Sequence, residues 1–166
     1  MKIITEFVNH VLPDHYSKHT DELVLGNAVV SFPFEVQDVP DGAKTLAWTF
    51  VDYDSIPVCG FAYIHWCAAN VPANKTSIEA DFSRLDVQHL HGKNSLVSKF
   101  LSTDFSAIEN GYIGPYPPDK DHSYTLTVYA LDGALDLENG FYMNELLHAI
   151  EGHVLAEAEA SFIGRC

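Results

Sequence analysis

The sequence predicts an all-β-dominated antiparallel sandwich with a small helical element near the C-terminus. Three observations carry this. The apolar runs are short, rich in β-branched and aromatic residues, and bounded by Gly, Pro and Asp, which favours strands over helices. The elements run as several strands, a long polar excursion, a strand, a short helix and a last strand, without the regular alternation of parallel βαβ units. The 166 residues, 47% of them hydrophobic, suit one domain spanning 1–166 with a sizeable core.

Residues 1–22 are mixed and polar. His10, His15 and His19 lie there, Pro13 interrupts any helix, and the stretch reads as a solvated segment and not a metal site. Leu23–Val30 and Phe32–Val36 are candidate strands, and Pro40-Asp41-Gly42 marks a turn. Leu46–Pro72 is the most constrained stretch. Leu46, Trp48 and Phe50 alternate with Ala47, Thr49 and Val51, and Phe61–Ala69 is also apolar on both parities. Strands apolar on both faces belong in the middle of a core. Yet this stretch carries Asp52, Asp54 and His65, and a buried charge is costly unless it is paired or reaches a wet cleft. Taken singly, the two aspartates also fit a simple turn and His65 a satisfied core histidine.

Ala73–Asn110 reads as a long polar excursion with one helical turn. His89 and His91 form an H-x-H pair with no nearby residue to complete a metal set. Gly111–Pro118, GYIGPYPP, is a rigid irregular loop that cannot be an interior strand. His122–Leu131 is a strand, with Tyr124, Leu126, Val128 and Ala130 on one parity and His122 at its start. Asn144 is a candidate cap for a helix over about 143–151, stopped near Gly152. From Val154 the period becomes two, predicting a final strand. His148 and His153 are five apart, about 140° around a helix, so they share no face.

The formal net charge is −14, from 23 acidic and 9 basic residues. That field disfavours nucleic acid and anionic membranes as partners, but salt confines it to about 8 Å, so a local pocket for a small anion remains open. Cys59, Cys67 and Cys166 are an odd count without metal spacing, which points to a reducing compartment. No signal-peptide h-region and no run of about 18 apolar residues is present, so the expectation is a cytoplasmic protein that is not membrane-embedded.

Three blocks together resemble the phosphatidylethanolamine-binding protein family, which includes the Raf kinase inhibitor proteins and their bacterial relatives. Asp52-Tyr53-Asp54-Ser55-Ile56-Pro57 is similar to its acidic D-P-D-x-P loop. His65-Trp66 with Asn70-Val71-Pro72 is similar to its H-W-x-x-x-N-I-P strand. Gly114-Pro115-Tyr116-Pro117-Pro118 with His122 and Tyr124 is similar to its G-P-x-P-P…H-x-Y segment. The likeness covers roughly Phe32 to Arg165. It implies a Greek-key β-sandwich with a small C-terminal helical element and an anion-binding cleft. Carried over, Asp52, Asp54, His65, Gly114, Pro117, Pro118, His122 and Tyr124 form that cleft, with Tyr63 at its mouth. The chain departs from the pattern at Tyr53, at Ile56, which lengthens the acidic loop by one residue, at Val58 and Cys59, and at Tyr116. These positions set the width of the pocket.

The chemistry expected of such a cleft is binding. His65 and His122 would each present a ring N–H to one oxyanion, phosphate or a phospho-head group, while Asp52 or Asp54 fixes the tautomer and favours the charged form. Affinity would weaken as pH rises. No cofactor and no metal is expected. The alternative is a metal-dependent or acid–base hydrolase using the His/Asp cluster, although no G-x-S-x-G, H-E-x-x-H or P-loop is present. The resemblance also implies regulation of a protein partner by kinase or protease inhibition, and a possible homodimer.

Overall fold

A computed structural model describes residues 1–166. The strands are β1 (Lys2–Ile4), β2 (Leu23–Val24), β3 (Asn27–Ala28), β4 (Phe34–Gln37), β5 (Thr45–Asp52), β6 (Tyr63–Pro72), β7 (Ser77–Ile78), β8 (Leu90–His91), β9 (His122–Leu131) and β10 (Val154–Gly164). The α-helical turns are α1 (Ile56–Cys59), α2 (Phe82–Leu85) and α3 (Met143–Ala149). A five-stranded antiparallel sheet in the order β10-β9-β5-β6-β8 dominates. β5 sits in its middle, and all its residues are buried, as its two apolar parities require. After the β5–β6 hairpin, the chain returns by a long connection to lay β9 beside β5, a Greek-key return.

Each face of this sheet has its own cover. Leu46, Trp48 and Phe50 on β5, with Leu126 and Val128 on β9, pack against Phe34 and Val36 of the three-stranded sheet β1-β4-β7. Many of the aromatic pairs there meet edge-on, as Trp48 and Trp66 do at 5.1 Å and 78°. On the opposite face Ala47, Cys67 and Leu131 pack under Leu146 and Ile150, which α3 and its last turn supply. The helical element thus covers the outer face of a sandwich.

Several boundaries differ from the sequence reading, each for a local reason. Residues 1–22 are not only solvated: β1 pairs with β4, and Leu12 is buried, while His10, His15 and His19 are exposed. Leu23–Val30 is broken at Leu25 and Gly26, which both take positive φ, leaving the two-residue pair β2–β3. The strand expected over Phe32–Val36 runs over Phe34–Gln37. The 73–110 excursion holds α2, a 3₁₀ turn at Ser95–Val97 and the short strands β7 and β8. Asn144 is not the cap: Tyr142 is, and its backbone N–H donates to Glu145 Oε2 at 2.7 Å. Asp86, three residues before His89, accepts from His89 Nδ1 at 2.7 Å and lies 3.5 Å from His91 Nε2. No helix is long and apolar enough to cross a membrane.

Leu126 is fully buried between β5 and β10, so Leu126→Ala should cost about 2–5 kcal/mol by urea unfolding. Leu147→Ala, on the exposed side of α3, should cost under about 0.5 kcal/mol.

Candidate ligand-binding site

β5 ends where its two antiparallel neighbours begin. Asp52, the last residue of β5, lies opposite Tyr63 on β6 and Tyr124 on β9. Three strand ends therefore converge at one edge of the sheet. Along β5 the parity of Leu46, Trp48 and Phe50 continues to Asp52, so the carboxylate points to the same side as the main core. On β9 the buried parity that contains Leu126 begins with His122 and Tyr124.

His65 reaches this side through an irregularity. Pairing jumps from Phe50↔Trp66 to Val51↔Ile64, so His65 is the extra residue of a β-bulge. The bulge turns its ring to within 5.0 Å of the Tyr124 ring and 5.9 Å of the Phe50 ring. Nothing in the residue types announced it.

The glycine- and proline-rich loop closes one wall. His65 Nδ1 donates to the Ile113 carbonyl at 2.9 Å, and the Ile113 N–H donates back to the His65 carbonyl at 2.9 Å. Gly114 is required by close approach: a Cβ there would lie 2.6 Å from the Tyr16 carbonyl oxygen and 2.7 Å from Ala28 Cβ. Lys18 holds the loop from outside, its backbone N–H on the Pro115 carbonyl at 3.0 Å and its Nζ on the Pro117 carbonyl at 2.6 Å.

These elements enclose a cavity of about 330 Å³. Asp52, His65, His122 and Tyr124 form its polar end, with Tyr63, Gly114 and Pro118 around them. Ser55, Val58 and Cys59 line the side made by the acidic loop, and Tyr116 stands at the mouth. The residue that lengthens that loop, Ile56, starts the single turn of α1.

The hydrogen bonds assign protons. Asp52 Oδ1 accepts the Ser55 N–H at 3.0 Å, and its Oδ2 accepts from His122 Nδ1 at 2.8 Å. His122 Nε2 donates to Asp119 Oδ1 at 2.9 Å. A carboxylate only accepts, so both ring nitrogens of His122 carry hydrogen and the ring is an imidazolium. Burial opposes that charge, but the two carboxylates outweigh it and raise His122 above its ordinary value.

His65 is the opposite case. Burial drives it down to about 4 against the smaller favourable effects of the Ile113 carbonyl and Asp52. Its one proton sits on Nδ1, so Nε2 is an acceptor at neutral pH. This corrects the expectation of two charged histidines. Burial and then the Asp52 charge push the Tyr124 hydroxyl well up, so it stays a neutral phenol.

Of the residues expected at the site, the structure brings Asp52, Tyr63, His65, Gly114, Pro118, His122 and Tyr124 to one cavity. Asp54 and Pro117 do not line it. Asp54 Oδ2 accepts the Ser123 N–H at 2.9 Å, tying the acidic loop to β9, and Pro117 is buried with its carbonyl on Lys18. Sequence reasoning missed Asp119. Its position three residues before His122, on a loop that turns back after two prolines, was the only available signal.

The fold and the cavity define a β-sandwich protein with a small pocket, polar at one end, where three strand ends meet. The sequence profile described as phosphatidylethanolamine-binding protein matches residues 5–163. The uncharacterized protein YxkA of Bacillus subtilis is 48% identical over 99% of both chains. A UPF0098 protein of Methanothermobacter thermautotrophicus is 36% identical over 78% of this chain and 79% of its own. The crystal structure of CT736 from Chlamydia trachomatis, described as a homolog of the phosphatidylethanolamine-binding proteins, superposes with a TM-score of 0.77 at 28% identity, covering 98% of this chain and 95% of that one. Escherichia coli YbcL shares the fold, with a TM-score of 0.78 at 20% identity over 99% of this chain and 98% of that one. This chain belongs to the phosphatidylethanolamine-binding protein family.

The depressed value of His65 has a stability consequence. The unfolded chain protonates this histidine near 6.5, the folded chain only near 4. Below 6.5 the unfolded state binds the extra proton, so stability falls as pH drops, by on the order of 3 kcal/mol once pH is below about 4. In urea titrations at pH 7 and pH 4.5, wild type should lose more stability than His65→Gln. Equal losses would show that His65 is not held neutral.

Proposed function

We propose that this chain is a non-catalytic binding protein whose pocket takes a small oxyanion of the phosphate class, free or as a head group, and whose occupancy regulates a protein partner in the manner of an inhibitor. One observation carries the reading. A protonated His122 at the polar end of the cavity stands with the neutral Tyr124 hydroxyl and with His65, whose Nε2 accepts. A cationic ring and a phenol hydroxyl beside an accepting ring nitrogen complement a hydrogen phosphate or a phosphomonoester, which carries both charged oxygens and a P–OH. Free cysteines, two of them exposed, support a reducing compartment such as the cytoplasm.

The rim favours a protein as the partner. Tyr53, Ile56, Val58 and Tyr116 are exposed around the acidic loop and the cavity mouth. A second copy of the chain is the simplest such partner. Light scattering over rising concentration would show dimer mass, and a monomer throughout would contradict it.

Calorimetric titration at fixed ionic strength tests the pocket. Phosphate and phosphoethanolamine should bind saturably, and sulfate, which carries no hydroxyl at neutral pH, more weakly. Replacing both His65 and His122 by Ala should abolish binding. Because His122 is raised, affinity should hold at neutral pH and fall as pH rises through that raised value. Unchanged phosphate affinity in the double variant would contradict the assignment.

A further inference from the structure

The pocket as it stands offers an anion less than its histidines promise. His122 is the cationic group of the site, and both of its N–H groups are already taken, Nδ1 by Asp52 and Nε2 by Asp119. The two carboxylates are not equivalent. Asp52 is buried at the end of β5 and is also bound by the Ser55 N–H. Asp119 belongs to a surface loop, its side chain 52% exposed against 1% for His122. The loop is fixed on either side of it. Before it, Lys18 Nζ holds the Pro117 carbonyl; after it, Asp121 Oδ1 accepts the Cys166 N–H at 2.9 Å.

We propose that the Asp119 carboxylate is a built-in occupant of the oxyanion position on His122 Nε2, which a ligand must displace to bind. The proposal rests on the oxyanion reading of the pocket and adds what limits it. A carboxylate oxygen 2.9 Å from a ring N–H stands where a phosphate oxygen would accept the same hydrogen. Exchange of one for the other keeps the imidazolium paired, so His122 never faces the cavity as an uncompensated charge. The gate also sets specificity. A tethered carboxylate competes at high effective concentration, so a single-oxygen contact with His122 does not suffice. A phosphate monoester adds the Tyr124 and His65 contacts, which Asp119 does not make, and a simple carboxylate such as acetate gains little over the residue it displaces. The apparent affinity is the intrinsic affinity reduced by the open fraction of the gate.

Asp119→Ala tests this, because the side chain is exposed and no strand depends on it. Inorganic phosphate is titrated into wild type and variant at pH 6.5 and constant ionic strength, with the His122 ring followed by NMR. The groups facing His122 at this pH are Asp52, Asp119, His65 and Tyr124. The variant should bind phosphate about tenfold more tightly, and acetate should begin to bind. Asp119→Asn keeps an acceptor oxygen without the charge and should fall between. In the absence of ligand, the His122 Nε2 signal should move in both variants. Equal or weaker phosphate binding in Asp119→Ala, with wild type still binding, overturns the gate and leaves the pocket reading intact. Binding by the variant alone supports the gate in its strongest form. Absence of binding to either protein overturns both.

Discussion

The structure turns on one buried carboxylate. Asp52 ends the central strand at the point where β6 and β9 begin, and its two oxygens are divided between a backbone N–H of the acidic loop and the imidazole of His122. Removing one partner of a buried ion pair leaves the other uncompensated, typically at a cost of about 3–5 kcal/mol. The pair therefore constrains everything near it. It fixes the start of β9, the turn after β5 and the charge of the His122 ring at the cavity.

The rest of the fold serves that corner. The long β5–β6–β9 core gives a rigid edge from which Asp52, His65, His122 and Tyr124 project, and rigid elements hold polar groups more closely than loops do. One bulge adds His65 to the same side. Gly164 on β10 lets the corner close, since a Cβ there would lie 2.5 Å from the Tyr124 ring and 2.8 Å from Pro115 Cβ. The outcome is two histidines of opposite character a few ångströms from one aromatic ring. His122 is charged because carboxylates flank it, and His65 is neutral because burial outweighs its partners.

Much of this was legible in the sequence. The two-parity apolar runs placed β5 and β6 in the middle of a sheet, and the alternation in His122–Leu131 and after Val154 marked β9 and β10. Three short motifs marked most of the cavity wall. What stayed hidden depended on contacts between distant segments. Asp54 and Asp52 look alike two residues apart, and only the packing of the loop on β9 sends one to Ser123 and the other to His122. Equal charge on the two histidines followed from pairing logic alone, because burial does not show in residue type. Asp119 resembled one more solvated acidic residue. Residues 1–22 read as solvated because β1 is only three residues long and the apolar pair Val11-Leu12 is cut off by Pro13.

Nitrogen-15 NMR of the imidazole rings at pH 7 reads the division of protons between the two histidines. Both nitrogens of His122 should be protonated, and His65 should be neutral with its hydrogen on Nδ1. A neutral His122, or a His65 that is charged or protonated on Nε2, would contradict the network built on Asp52.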